Sequence, residues 1–146
     1  MSSSSPLLLD LNVLLALAWP NHQFHAAATH RLEASRERWA TCALTQLGFI
    51  RLSSNPSAIP YAKSPAEAVS LLAALTRDSL HVYLETLPSP LDTKFREVFG
   101  RIMGPKQVTD AYLLKLARRH SAIFLTFDAR LRDLGGSEGK IEILQA

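Results

Sequence analysis

The stretch Leu7-Leu8-Leu9-Asp10-Leu11-Asn12-Val13-Leu14-Leu15 decides the fold. A short apolar run that ends at once in a carboxylate reads as a buried strand with an acid at its C-terminal end. Asn12 to Ala18 then has helical character, and Pro20 stops it. Late in the chain Ala122-Ile123-Phe124-Leu125-Thr126-Phe127-Asp128 repeats the device, a β-compatible apolar run closed by an acid. Open α/β sheets bind ligands outside the carboxyl ends of their strands. Asp10 and Asp128 are therefore site candidates if their strands are neighbours. Asp110 falls in the early turns of a helix expected from about Lys106 to His120, so its carboxylate would join them.

Between these anchors strands and helices alternate. Helices are expected over His22 to about Ser35 and over Leu44 to Ser53, the latter closed by Asn55-Pro56. Ser64-Pro65-Ala66-Glu67 and Ser89-Pro90-Leu91-Asp92 both resemble helix starts, with an N-cap serine, proline at the first helical position and an acid at the third. They predict helices to about Arg77 and to about Ile102. Trp39 to Cys42 and His81 to Glu85 read as strands. A helical turn holds Leu131, Gly135-Gly136 ends it, and Ile141 to Leu144 closes as a strand. The alternation predicts an α/β sandwich with a mostly parallel central sheet. All 146 residues are expected to form one domain, with residues 1–6 a flexible leader.

Composition excludes several classes. Hydrophobic residues at 47% and charged residues at 20% fit an ordinary globular chain and not a disordered one. The apolar run from Leu7 to Trp19 carries Asp10 and Asn12, is too short to span a bilayer, and lacks the preceding positive charge of a secretory signal. No membrane association is expected. The single cysteine, Cys42, excludes an intramolecular disulfide and a multi-thiolate zinc site, and suits a reducing, cytoplasmic setting. A net charge of +3 permits a nucleic-acid partner without requiring one.

Three carboxylates at one spot repel. Two unit charges 4 Å apart cost about 4 kcal/mol at an effective dielectric near 20. Such a cluster persists by taking up a proton or a cation, and hard oxygen donors suit Mg²⁺ or Mn²⁺. The competing reading leaves each acid as a local helix cap or a surface charge.

Four segments in order, Leu8 to Leu15, Thr45 to Leu52 (Thr45-Gln46-Leu47-Gly48-Phe49-Ile50-Arg51-Leu52), Thr109 to Leu113 and Leu125 to Asp128, resemble the motifs of PIN-domain proteins, most closely the VapC toxins of VapBC toxin–antitoxin pairs. The resemblance implies a PIN-like three-layer α/β/α sandwich and Mg²⁺- or Mn²⁺-dependent endonucleolytic cleavage of RNA, leaving 5′-phosphate and 3′-hydroxyl ends. It implies Asp10, Asp110 and Asp128 as catalytic and metal-binding acids, with Asn12 and Thr126 in support. It also implies a cognate antitoxin and a homodimer. One position departs: family members commonly carry a glutamate in the second motif, where this chain has Gln46. An amide can accept a hydrogen bond but cannot act as a base. Arg130 and Arg132 follow Asp128 closely and are candidates for holding RNA phosphates.

Other residues carry less. His22 and His25 are expected on a solvated helix face, Trp19 and Trp39 in core or interface, and Cys42 in packing. A binding module that holds RNA or a partner without cutting is the main alternative. A phosphatase of the haloacid-dehalogenase kind would need a second aspartate where this chain has Asn12.

Overall fold

The computed structural model describes residues 5–102, 104–135 and 139–145. Its centre is a five-stranded parallel sheet. Strands β1 (Leu7–Leu9), β2 (Trp39–Cys42), β3 (His81–Leu84), β4 (Ile123–Thr126) and β5 (Lys140–Ile143) lie in the order β3-β2-β1-β4-β5. The two acid-ended strands are neighbours, with Leu7, Leu8 and Leu9 opposite Ile123, Phe124 and Leu125. Pro6, expected in the leader, offers its carbonyl to the Ile123 amide at 2.9 Å. Met1 to Ser4 of that leader lie outside the described residues.

Both faces of the sheet are covered, so its central strands are apolar but for the buried Thr41 and Thr126. All three residues of β1 and all four of β2 are buried. On one face Leu7, Leu9, Trp39 and Leu125 pack with α1 (Leu11–Ala18), α2 (His25–Ser35), α3 (Ala43–Ser53) and α4 (Pro65–Leu75). On the other, Leu8, Ala40, Cys42 and Phe124 meet Leu113, Leu116 and Ala117 of α6 (Val108–Arg119). That is the α/β sandwich expected from the alternation, in the three layers that the resemblance implied. Gly48 brings α3 against the root of α1, because a Cβ there would stand 2.8 Å from Leu11 Cδ2.

Local chemistry explains two elements that differ from expectation. Ser64 caps α4 reciprocally, accepting from the Glu67 amide at 3.1 Å while Glu67 accepts from the Ser64 amide at 2.9 Å. The matching signal at Ser89 makes a turn instead, its hydroxyl accepting from the Leu91 amide at 3.1 Å. The helix begins only at the Asp92 cap and is short, α5 (Thr93–Arg96), followed by a 3₁₀ stretch Glu97–Arg101. Phe95 and Val98 are the buried anchors of this segment, a single turn apart, and Gly100 follows them. α2 likewise starts three residues after the expected His22, because the His22 ring accepts from the Phe24 amide and holds a turn. Gly136, expected to end the turn around Leu131, lies outside the described residues.

Candidate active site

Asp10 leaves β1 as the N-cap of α1 and is only 6% exposed. Its Oδ1 accepts from the Leu11 amide at 2.7 Å, and its Oδ2 accepts from the Thr126 hydroxyl at 2.6 Å. Burial pushes its carboxyl above the usual range, against the pull of these two bonds. Thr126 is wholly buried at the end of β4, and its hydroxyl also accepts from the Asp128 amide at 3.0 Å. Asn12 lies over the same strand end. Its Nδ2 reaches the Thr126 hydroxyl at 3.5 Å, and its Oδ1 accepts from the Phe127 amide at 3.4 Å. The support expected of Asn12 and Thr126 is thus a set of contacts knitting β1 to β4.

Asp128 caps the 3₁₀ turn Ala129–Leu134 and takes a two-pronged bond from Arg130, Nε to Oδ1 and Nη2 to Oδ2, both 2.9 Å. This bond lowers the Asp128 pKa. The Arg130 side chain is 78% exposed, so the pair contributes little to stability. Asp110, in the first turn of α6, is half-buried. Desolvation first, and then the charges of Asp10 and Asp128, push its carboxyl up to about 7, while Arg130 opposes the shift. Asp110 thus lies within the charge of both Asp10 and Asp128, and Asp10 within that of Asp128.

They do not form a ready-made ligand shell. Among the described residues no group of three His, Cys, Asp or Glu is arranged to hold a metal ion. The oxygens of Asp10 and Asp128 are bonded within the chain. The donor set nonetheless fits a hard divalent cation: all oxygen, and under a repulsion that a positive charge relieves.

Residues 7–137 match the PIN-domain family. The chain belongs to that family. Relatives of this PIN domain include Ribonuclease VapC44 of Mycobacterium tuberculosis, 46% identical over 122 residues, covering 83% of this chain and 84% of that one. Ribonuclease VapC39 of the same organism is 39% identical over 138 residues, covering 94% and 98%. A similar fold occurs in VapBC2 from Rickettsia felis bound to a DNA fragment from their promoter, with TM-score 0.67 at 13% identity over 95% of this chain and 98% of that one. It occurs also in DNA-bound VapBC from Salmonella typhimurium, with TM-score 0.63 at 14% identity over 96% and 98%.

Within the PIN domain Gln46 lies in the first turn of α3, beyond the end of β2, the strand beside β1. Among the described residues its side chain makes one hydrogen bond, from Nε2 to the Thr41 hydroxyl at 3.1 Å. Thr41 is fully buried, and its hydroxyl is 2.7 Å from His81 Nε2. Neither Thr41 nor His81 stood out in the sequence. The available signal was a hydroxyl residue inside an otherwise apolar strand, a group that must find a partner once buried. Arg132 is exposed on the turn after Asp128. Trp19, considered as a contact surface, is buried and donates through Nε1 to Ser53 at 3.1 Å. His25, expected on a solvated face, is half-buried with its Nδ1 2.7 Å from the Ala16 carbonyl. No helix among the described residues is long and apolar enough to cross a membrane.

Proposed function

We propose that this PIN domain is an Mg²⁺- or Mn²⁺-dependent endoribonuclease and the toxin of a toxin–antitoxin pair. The observation that carries the reading is Asp110, raised to about 7 beside two further carboxylates at adjoining strand ends. Acids pressed together in this way suit a site that takes up a divalent ion. The relatives are named as VapC ribonucleases, which points to RNA as substrate. The fold neighbours are complexes named VapBC, so a small antitoxin covering the acid edge is the expected partner. A homodimer and a cytoplasmic location belong to the same reading.

Asp10, Asp110 and Asp128 would hold the ion. When bound, it makes a water ligand acidic enough to act as nucleophile near neutral pH and offsets charge on the phosphate. The chain's own part is positional. Thr126 and the Leu11 amide fix the rotamer of Asp10. Asp110, its carboxyl raised to about 7, would have to be ionised to hold a cation. Arg130 and Arg132 are proposed to hold RNA phosphates beside the acids.

The test is RNA incubated with the purified protein with Mg²⁺, with Mn²⁺ and with chelator. Cleavage only in the presence of the ion supports the reading. RNA retained but uncut under all three conditions favours a non-cutting RNA- or partner-binding module, the reading that Gln46 and the internally bonded acids would suit.

A further inference from the structure

We propose that Thr41 and His81 are positioning residues for Gln46, forming with it a hydrogen-bonded line across two strands that fixes which end of the carboxamide is offered to the acid edge. The inference rests on the ribonuclease reading above for its catalytic consequence, and on geometry for its existence.

Gln46 sits in the first turn of α3, immediately beyond β2, and β2 lies beside β1. α3 packs against Leu11, the residue after Asp10. The Gln46 Nε2 donates to Thr41 Oγ1 at 3.1 Å, and that oxygen is 2.7 Å from His81 Nε2. A hydroxyl carries one proton and two lone pairs. Thr41 spends a lone pair on Gln46, and among the described residues its own proton has one acceptor in reach, the His81 ring nitrogen. Thr41 is fully buried, so a missing bond would leave its hydroxyl without water as a substitute. The line therefore has a polarity: Gln46 N–H to Thr41 oxygen, Thr41 O–H to His81 Nε2. His81 must be neutral with its proton on Nδ1. Burial, which lowers its pKa against the nearby Asp78 charge, is consistent with this.

The far end is braced. Trp39 packs on the His81 ring at 4.7 Å between centroids, and its Nε1 donates to Asp78 at 3.0 Å. At the near end, no donor among the described residues reaches Gln46 Oε1. With the nitrogen committed to the sheet, the oxygen is the end left to accept a hydrogen bond from substrate or from a water at the site. A glutamate at 46 could not donate to Thr41. It would take the Thr41 proton, and His81 Nε2 would have to become a donor. The amide at 46 and the His81 tautomer are two ends of one choice.

The test pairs nitrogen NMR of the His81 ring in the full chain with a cleavage cycle. We expect His81 Nε2 unprotonated. We expect Thr41→Val to shift both the His81 and the Gln46 side-chain resonances. In RNA cleavage, Thr41→Val and Gln46→Ala should each slow the rate by roughly tenfold, the double variant should be no slower than either, and Thr41→Ser should restore most of the loss. A protonated Nε2 overturns the line and needs no folded Thr41 variant. So do Thr41→Val and Gln46→Ala effects that multiply in a parent that cuts RNA, or a Gln46→Ala variant that cuts at the parental rate. A parent that cuts no RNA removes the ribonuclease reading and any catalytic role for the line with it, whatever the tautomer.

Discussion

Asp10 and Gln46 each lie where a helix leaves the C-terminal end of a strand, on the neighbouring strands β1 and β2, yet their surroundings differ in kind. Asp10 belongs to a region of accumulated negative charge. Its own carboxyl is pushed up by burial against two hydrogen bonds, and Asp110 is pushed up to about 7 against the charge of Arg130. Gln46 belongs to a neutral line whose every link can be satisfied inside the chain. The difference separates two kinds of sensitivity. The β1/β4 side should respond to cations and to pH, while the β2/β3 side should respond to changes that reverse or remove a hydrogen bond.

Breaking the charged side should have the largest effect. Asp10→Asn keeps the shape and deletes a charge; its oxygen can still accept from the Leu11 amide, while its nitrogen can bond Thr126 only if that hydroxyl turns from donor to acceptor. A metal site supplies several kcal/mol of transition-state stabilisation, so we expect cleavage at saturating Mn²⁺ to fall by about 10²- to 10³-fold. Parental rates in Asp10→Asn would remove Asp10 from the site.

Asp110 gives the next largest effect, and its sign depends on the metal. Its folded pKa of about 7 stands above the ordinary 3.8, so the fold favours the protonated form. The stability this contributes is full below the unfolded value and is lost as pH rises through about 7. Asp110→Asn should remove that loss. At pH 8 without metal the variant should be more stable than the parent by about 1–2 kcal/mol, a figure discounted for its half-exposed position. Near pH 4 the gain should vanish. Saturating Mg²⁺ should stabilise the parent and not the variant. Urea denaturation at the two pH values, with and without Mg²⁺, checks both signs.

Much of this contrast was legible in the sequence, and unevenly. Asp10 and Asp128 were legible as strand-end acids because an apolar run closed by a carboxylate is a local pattern, while it is the sheet that sets β1 beside β4. The early turn of α6 placed Asp110. Three things were not legible. Ser89-Pro90 carries the same local signal as Ser64-Pro65, and the length of helix that can form beyond the serine decides whether it acts as a cap: α4 runs for eleven residues while α5 ends at Arg96. The Arg130 bond to Asp128 is a rotamer choice that spacing alone leaves open. The line from Gln46 to His81 rests on a contact between Thr41 and His81, 40 apart in sequence, and on the register that sets Trp39 opposite His81. Local patterns locate charged groups at strand ends, but partners across strands are fixed by register.

Thr126 sharpens the comparison further, because it serves charge through a hydrogen bond. Its hydroxyl donates to Asp10 and accepts from the Asp128 amide, so one group sets two of the three acids. Thr126→Val should weaken Mn²⁺ binding by roughly tenfold, at the lower end for residues that orient metal ligands. Thr126→Ser should recover most of that. Equal affinity in the valine variant, measured by calorimetry, would show that Asp10 needs no help in holding its rotamer.

The smallest effect belongs to Gln46→Glu, where the two sides meet. A fourth carboxylate attracts a divalent ion, but water ligands and three existing acids dilute the gain to about 1 kcal/mol, roughly fivefold in affinity. A second effect opposes it. The Gln46 nitrogen is the donor to Thr41, so a glutamate must receive the Thr41 proton and His81 must supply one from Nε2. Reversing the line preserves the number of bonds, and the two neutral tautomers of imidazole differ little in energy, so the offset is a fraction of that gain. We expect Mg²⁺ to bind roughly two- to fivefold more tightly in Gln46→Glu. The cleavage rate at saturating metal should rise less, because tighter ground-state binding need not favour the transition state. The same variant should move the His81 proton from Nδ1 to Nε2, which nitrogen NMR reads without any metal present. Tighter Mg²⁺ with an unchanged tautomer would mean that the carboxylate has swung off Thr41 toward the acids. Unchanged or weaker Mg²⁺ binding would place residue 46 outside the metal's reach and make the second motif structural in this chain.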